Sequence, residues 1–150
     1  MIMDDFKSGL EYAIKILNKK DYTEFEIRNR LKHKKFNDEN IDDIVSKLKS
    51  LKFINDERFA ENFLFFKSKR GYGKKGIAYN MKLKGLSENI INRVLGSFDE
   101  SKFADIIFLK RAKDIKKDKN YKQKLFSYML RRGFEYDTVS KLFDKYKEKF

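Results

Sequence analysis

Cysteine, proline and tryptophan are absent from the 150 residues, and histidine occurs once, at His33. Without thiols there are no disulfides, thiolate metal sites, iron–sulfur clusters or cysteine nucleophiles. A lone histidine excludes a multi-histidine metal centre and leaves little for the usual histidine-based triads. The missing proline removes the strongest helix breaker. No run approaches the roughly 18 consecutive apolar residues of a membrane span. The start, Met1 to Phe6, has neither the basic nor the apolar region of a secretion signal. Together these absences predict a soluble, cytoplasmic, helical chain that uses no membrane, no metal and no cofactor.

Charge, by contrast, is abundant. The 36 Lys+Arg exceed the 23 Asp+Glu by 13, and charged residues make up 39% of the chain, well above the roughly 25% usual in globular domains. Disorder is not implied, because 15 Phe and 8 Tyr supply ample core material. Lysine outnumbers arginine 28 to 8. A codon bias that exchanges Arg for Lys accounts for that ratio but not for the excess of base over acid. A polyanion is the natural counterpart.

The apolar residues repeat. Ile27, Leu31, Phe36, Ile41, Ile44, Val45 and Leu48 recur 50 positions later as Ile77, Met81, Leu86, Ile91, Val94, Leu95 and Phe98. A further 48 positions on they recur as Leu125, Met129, Phe134, Val139, Leu142, Phe143 and Tyr146. Ahead of each copy stand Tyr12-Ala13, Phe59-Ala60 and Phe103-Ala104. Each unit reads as one longer and two shorter helices at the i, i+3, i+4, i+7 spacing of an amphipathic face. The fold class is therefore all-α: three tandem three-helix repeats, 1–54, 55–98 and 99–150, in an elongated, curved array. Stacked units are expected to share a continuous core, and no apolar face is left over, so a monomer is expected.

Helix signals agree. Thr23 with Glu26, and Ser97 with Glu100, have capping-box spacing, and Asn55 and Ser87 suit N-caps. Gly85 and Gly133 each follow a basic last turn, as at left-handed helix ends. These place helices at 5–19, 24–35, 38–51, 56–69, 75–84, 88–96, 99–118, 122–132 and 136–148.

The charge is uneven. The first unit has 12 basic and 10 acidic residues, the second 9 and 4, the third 15 and 9. No acid occurs between Asn62 and Ser87, a stretch holding Lys67, Lys69, Arg70, Lys74, Lys75, Lys82 and Lys84. Within it, Gly71-Tyr72-Gly73 offers close backbone approach to an anion, the free N–H groups of the following helix, and Tyr72 for stacking on a base or an apolar surface. A tight helix–helix joint flanked by solvated lysines is the plainer alternative. Lys110, Arg111, Lys113, Lys117 and Lys124 fit one side of a long helix and its successor, with Arg131 and Arg132 at the helix end. A solvated face, and a basic helix C-terminus at Arg131-Arg132, would look the same.

Nothing suggests catalysis. There is no phosphate-binding Gly-rich loop, dinucleotide fingerprint or nucleophile elbow. Asp56-Glu57 and Asp99-Glu100 stand at helix starts, where carboxylates complement the dipole. Asp42-Asp43 is a third pair, and His33 lies among lysines. Phe59, Phe63, Phe65 and Phe66 read as core. The expectation is a protein that is not an enzyme.

Three stretches resemble the RecX family, bacterial regulators of the RecA recombinase. They are Phe53-Ile54-Asn55-Asp56-Glu57-Arg58-Phe59-Ala60, then Arg70-Gly71-Tyr72-Gly73 through Ile77, Met81 and Lys84-Gly85-Leu86, and finally Met129-Leu130-Arg131-Arg132-Gly133-Phe134 with Asp137-Thr138-Val139. Gly76 departs from the arginine common before the isoleucine of the second motif, and Lys19-Lys20 stand where an arginine is common in the first unit. The resemblance implies a non-enzymatic protein that binds along the groove of the RecA–DNA filament and restrains ATP hydrolysis and strand exchange. Its partners would be the RecA filament and single- and double-stranded DNA, with the two basic stretches supplying phosphate contacts and the more neutral first unit chiefly contacting protein. The alternative is a general DNA-binding helical module acting independently of RecA. Direct base readout is disfavoured, since no helix combines the Arg, Asn and Gln it prefers.

Overall fold

The computed structural model describes residues 2–149, with side chains described from 5 to 148. Among the described residues there are nine α-helices and no strand. They are α1 (Ile2–Leu17), α2 (Glu24–His33), α3 (Asp38–Ser50), α4 (Asp56–Lys69), α5 (Lys74–Leu83), α6 (Glu88–Gly96), α7 (Ser101–Asp114), α8 (Tyr121–Arg131) and α9 (Tyr136–Lys145), with a closing 3₁₀ turn at Lys147–Lys149. The chain is the all-α helical repeat array that its apolar periodicity predicts.

Local chemistry sets the ends. Thr23 and Glu26 form the predicted capping box, with Oγ1 and Oε1 each accepting at 3.1 Å from the other's backbone N–H. Asn37, Asn55 and Ser87 cap α3, α4 and α6 by accepting from the N–H three residues on. Helices α2, α3, α4, α5 and α8 end alike, in a left-handed residue at Lys35, Lys52, Gly71, Gly85 and Gly133. At α5, Leu86 N–H returns to the Met81 carbonyl and Gly85 N–H to that of Lys82, the Schellman pattern.

The repeated apolar positions fill the interior, but not as one continuous core. Helices pack in groups of three around separate clusters. Ile27, Leu31, Ile41, Ile44 and Leu48 centre the first, Ile77, Met81, Leu86 and Ile91 the second, and Phe108, Leu125, Met129, Phe134 and Val139 the third. Ala13, Ala60 and Ala104 are fully buried on the leading helices, where a small side chain brings the packed helices close. Each group buries its own face because the joints between groups are made mostly by polar backbone. Phe59 and Phe63 stack at 5.9 Å against the second cluster. Phe65 and Phe66 instead stand exposed.

The joints follow one rule. The second helix of each group meets the next group's second helix end to end. Thr23 Oγ1 donates to the Lys84 carbonyl at 2.6 Å, and Gly73 N–H to the Arg132 carbonyl at 2.7 Å. The C-terminus of α8 thus abuts the N-terminus of α5, and that of α5 the N-terminus of α2, so their dipoles run head to tail. The exposed surface of 10146 Å² exceeds the about 8,100 Å² of a compact monomer of this mass. The row of groups is elongated.

Two expectations change. Helix α7 ends at Asp114 rather than near 118. Ile115 turns to extended backbone and packs on the third cluster, and the Asp118 carboxylate takes the Asn120 N–H at 2.9 Å in a local turn. The Ser97–Glu100 capping box does not form. Ser97 closes α6, while the buried Glu100 reaches across groups.

Candidate nucleic-acid interface

Glu100 closes the site that the Gly-Tyr-Gly segment was expected to open. Its Oε2 accepts from Lys74 N–H at 2.7 Å, and its Oε1 from Glu135 N–H and Thr138 Oγ1, both at 2.9 Å. Lys75 and Gly76 give their N–H groups to the Gly133 carbonyl, at 3.0 and 3.3 Å. The first turn of α5 therefore has no N–H left for an external anion. Gly73 and Gly133 are glycine for the sake of this joint: a Cβ on Gly73 would fall on the Phe134 backbone, and one on Gly133 on the Gly76 backbone. The backbone of this segment is a tight joint. The joint between the first and second groups is built alike, with the Asp56 Oδ1 accepting from Glu24 N–H at 3.0 Å.

The side chains around the second joint tell a different story. Arg132 Cζ lies 4.5 Å from the centre of the Tyr72 ring, Lys67 Nζ 4.8 Å from the same ring, and Arg111 Cζ 4.6 Å from that of Tyr128. Arg132 is also 5.8 Å from Tyr128. Lys67, Tyr72, Arg132, Tyr128 and Arg111 thus form a ladder of alternating cations and rings across α4, α7 and α8. Cation–π contact orients each head group without neutralising it. Arg132 donates from Nη2 to the Arg70 carbonyl at 2.8 Å, yet the buried Nε atoms of Arg132 and Arg111 have no partner among the described residues.

The ladder brings the two predicted basic stretches together. Arg111, Lys124 and Arg131 line a groove of about 360 Å³ with Ile115, Gln123 and Ser127. Lys69 lies over Phe65 at 4.1 Å, and Lys117 over Tyr121 at 5.5 Å from the connecting loop, not from a helix face. Lys75 and Lys82 are exposed on α5, Lys110 and Lys113 on α7, and Lys74 is half-buried. Tyr72 is half-buried beneath its two cations, so it holds charge in place and is not a free stacking platform.

Two members of the predicted set are neutralised. Lys84 pairs with Glu26 at 3.3 Å at the first joint, and Lys124 with Asp118 at 2.8 Å. Hydrogen bonds from Lys124 and from the Asn120 N–H hold the Asp118 carboxyl below the usual carboxylate range. Among the described residues the other cations of the two stretches make no ion pair, whereas in the first group Arg28 pairs with Glu24 and Asp42. Sequence reasoning missed Tyr128, although its place four residues before Arg132 on one helix was a readable signal. Among the described residues no three His, Asp or Glu side chains gather as a metal site, and no helix is long and apolar enough to cross a membrane.

The order of units has counterparts. Residues 10–48 match the first three-helix domain of RecX, and residues 55–95 the second. Regulatory protein RecX of Haemophilus influenzae (strain Rd) is 33% identical over 139 residues, 89% of this chain and 91% of that one. The chain belongs to the RecX family. RecX of Chlorobium phaeobacteroides is 32% identical over 143 residues, 94% and 95% of the two chains. The crystal structure of RecX from Lactobacillus salivarius has the same fold, with a TM-score of 0.85 over 95% of this chain and 97% of that one, at 24% identity. RecX proteins are regulatory by name, and membership places this chain among regulators.

Proposed function

We propose that the protein is a non-enzymatic modulator of the RecA recombinase, built of three units dividing at residues 54 and 98. It lies along the groove of the RecA–DNA filament in the cytoplasm and restrains ATP hydrolysis and strand exchange. The observation that carries the reading is the cation–aromatic ladder at the second joint. It gathers charge from two sequence-distant stretches at one joint of an elongated row, and no carboxylate among the described residues pairs with it. An elongated basic row suits a helical groove whose walls carry phosphates and acidic protein surface. The cations are mostly lysines and ring-held arginines, which fits backbone contact rather than base readout.

The double variant Lys75→Gln/Arg111→Gln removes one cation from each side of the joint, and neither side chain hydrogen-bonds to the fold. Inhibition of RecA's single-strand-dependent ATP hydrolysis should weaken. The salt slope of single-strand binding should fall by about 1.4, at about 0.7 per charge. Unchanged inhibition and slope at every salt concentration would remove the ladder's Arg111 and the neighbouring Lys75 from the interface. Strong bare-DNA binding with no effect on RecA would favour a general DNA-binding module.

A further inference from the structure

The near-neutral first group hides a segregation of charge. Most of its acids are spent or set apart. Glu24 is paired with Arg28 and Lys49, and Asp38, Glu39, Asp42 and Asp43 all lie on α3. Its cations gather elsewhere on rings. Arg30 Cζ and Lys20 Nζ lie 4.6 and 4.9 Å from the centre of Tyr22, and Lys34 Nζ 5.1 Å from that of Tyr12. Tyr12, Arg30, His33 and Lys34 line a groove of about 580 Å³ with Asn29 and Glu26. Glu26, the acid among the lining residues, is already committed to Thr23 N–H and to Lys84. Lys20, Arg30 and Lys34 make no ion pair among the described residues.

This cluster repeats the ladder. Tyr22 precedes Thr23, the N-cap of α2, as Tyr72 precedes Gly73, the N-cap of α5, 50 positions on. Because α5 runs end to end into α2, the two tyrosines are separated by about the length of α5, roughly 15 Å at 1.5 Å per residue. Each strand of a duplex advances about 3.4 Å along the axis per phosphate, and an extended single strand spaces its phosphates more widely, so a few of them would bridge that gap. We propose that Arg30, Lys34 and Lys20, held on Tyr22 and Tyr12, form a second phosphate-backbone site that grips the same single strand as the ladder. This rests on the nucleic-acid reading above and reassigns the first group from a protein contact to a DNA contact. Two cation sets held on rings at equivalent positions, one helix length apart, favour a polymer of evenly spaced charge over an acidic protein segment.

The test is the full-length Arg30→Gln/Lys34→Gln variant, with its helicity checked by circular dichroism, titrated by anisotropy onto a single-stranded 20-mer, which is at least ~70 Å long even at duplex spacing. Affinity at ~0.1 M salt should fall on the order of tenfold, and the salt slope should drop by about 1.4. Unchanged affinity and slope, while Lys75→Gln/Arg111→Gln lowers both, would overturn this site and leave the ladder standing. If neither variant changes binding, both assignments fall. Polyglutamate competing as well as an oligonucleotide of equal charge would overturn the nucleic-acid assignment for this groove.

Discussion

Glu100 is the residue on which the second joint turns. Its two oxygens satisfy three donors from α5 and from the start of α9, and donors left unpaired there would be costly. Glu100→Ala should destabilise the protein by about 3 kcal/mol, and Glu100→Gln by about 2 kcal/mol, since an amide presents an N–H₂ where an acceptor is needed. Urea unfolding measures both. Asp56 has the corresponding task at the first joint, at a cost in charge. Burial raises its carboxyl above the usual range, and nearby Glu24 raises it further, against the lowering by the Glu24 N–H. A carboxyl raised on folding binds more protons when folded, so its contribution to stability is lost as pH rises through and just above about pH 4. The carboxyls of Glu24, Asp105 and Asp118 are held low on folding and gain stability as pH rises through the same window, so Asp56→Asn should remove the opposing contribution and make Tm rise more steeply with pH. Asp118 restrains Lys124 in the ladder's groove. Asp118→Asn should free that cation, tightening single-strand binding and raising the salt slope by about 0.7.

At the scale of elements, the equivalent helix ends differ in a way the joints explain. Gly85 and Gly133 sit where a Cβ would fall on Phe25 and on the Gly76 backbone, respectively. Lys35 occupies the same place in the first group but stands exposed, and its φ is 72°. Lys52, at the end of α3, has φ 64°. A non-glycine residue in this region costs about 1–2 kcal/mol, part of which glycine returns as unfolded-state entropy. Lys35→Gly and Lys52→Gly should each therefore stabilise by roughly 0.5–1 kcal/mol in urea unfolding. Helices and core were legible because amphipathic spacing and caps act locally. Ile27, Ile77 and Leu125 are fully buried where the repeat aligns them. What was illegible depended on tertiary partners. Ser97 and Glu100 have capping-box spacing, yet three donors from other elements outbid the local cap. Gly71-Tyr72-Gly73 has the composition of an anion cradle, but the Gly71 and Tyr72 amides turn back to Ser68 and Lys67, the Gly73 amide goes to Arg132, and those of Lys74, Lys75 and Gly76 go to Glu100 and Gly133, far away in sequence. The cations of the candidate site could be read from the two basic stretches. Their pairing with rings was less legible, because Tyr72 meets Arg132 only when the second and third groups dock, and Arg111 meets Tyr128 only when α7 packs on α8.

As a whole molecule, the protein is a row of three small cores joined by backbone hydrogen bonds and head-to-tail helices. That construction explains how 150 residues can extend along a groove while each group keeps a dry interior. It also puts cations that are unpaired among the described residues at a joint, where a long ligand would touch two groups at once. The central claim is that this row acts on the RecA filament rather than on bare DNA. The most direct measurement is RecA's single-strand-dependent ATP hydrolysis with the protein titrated in at roughly 0.15 M salt, where isolated phosphate contacts are strongly weakened. Anisotropy on the bare strand in the same buffer runs beside it. Inhibition is expected at protein concentrations that leave the bare strand unoccupied. Inhibition that only tracks occupancy of the bare strand, or no inhibition at all, would contradict it.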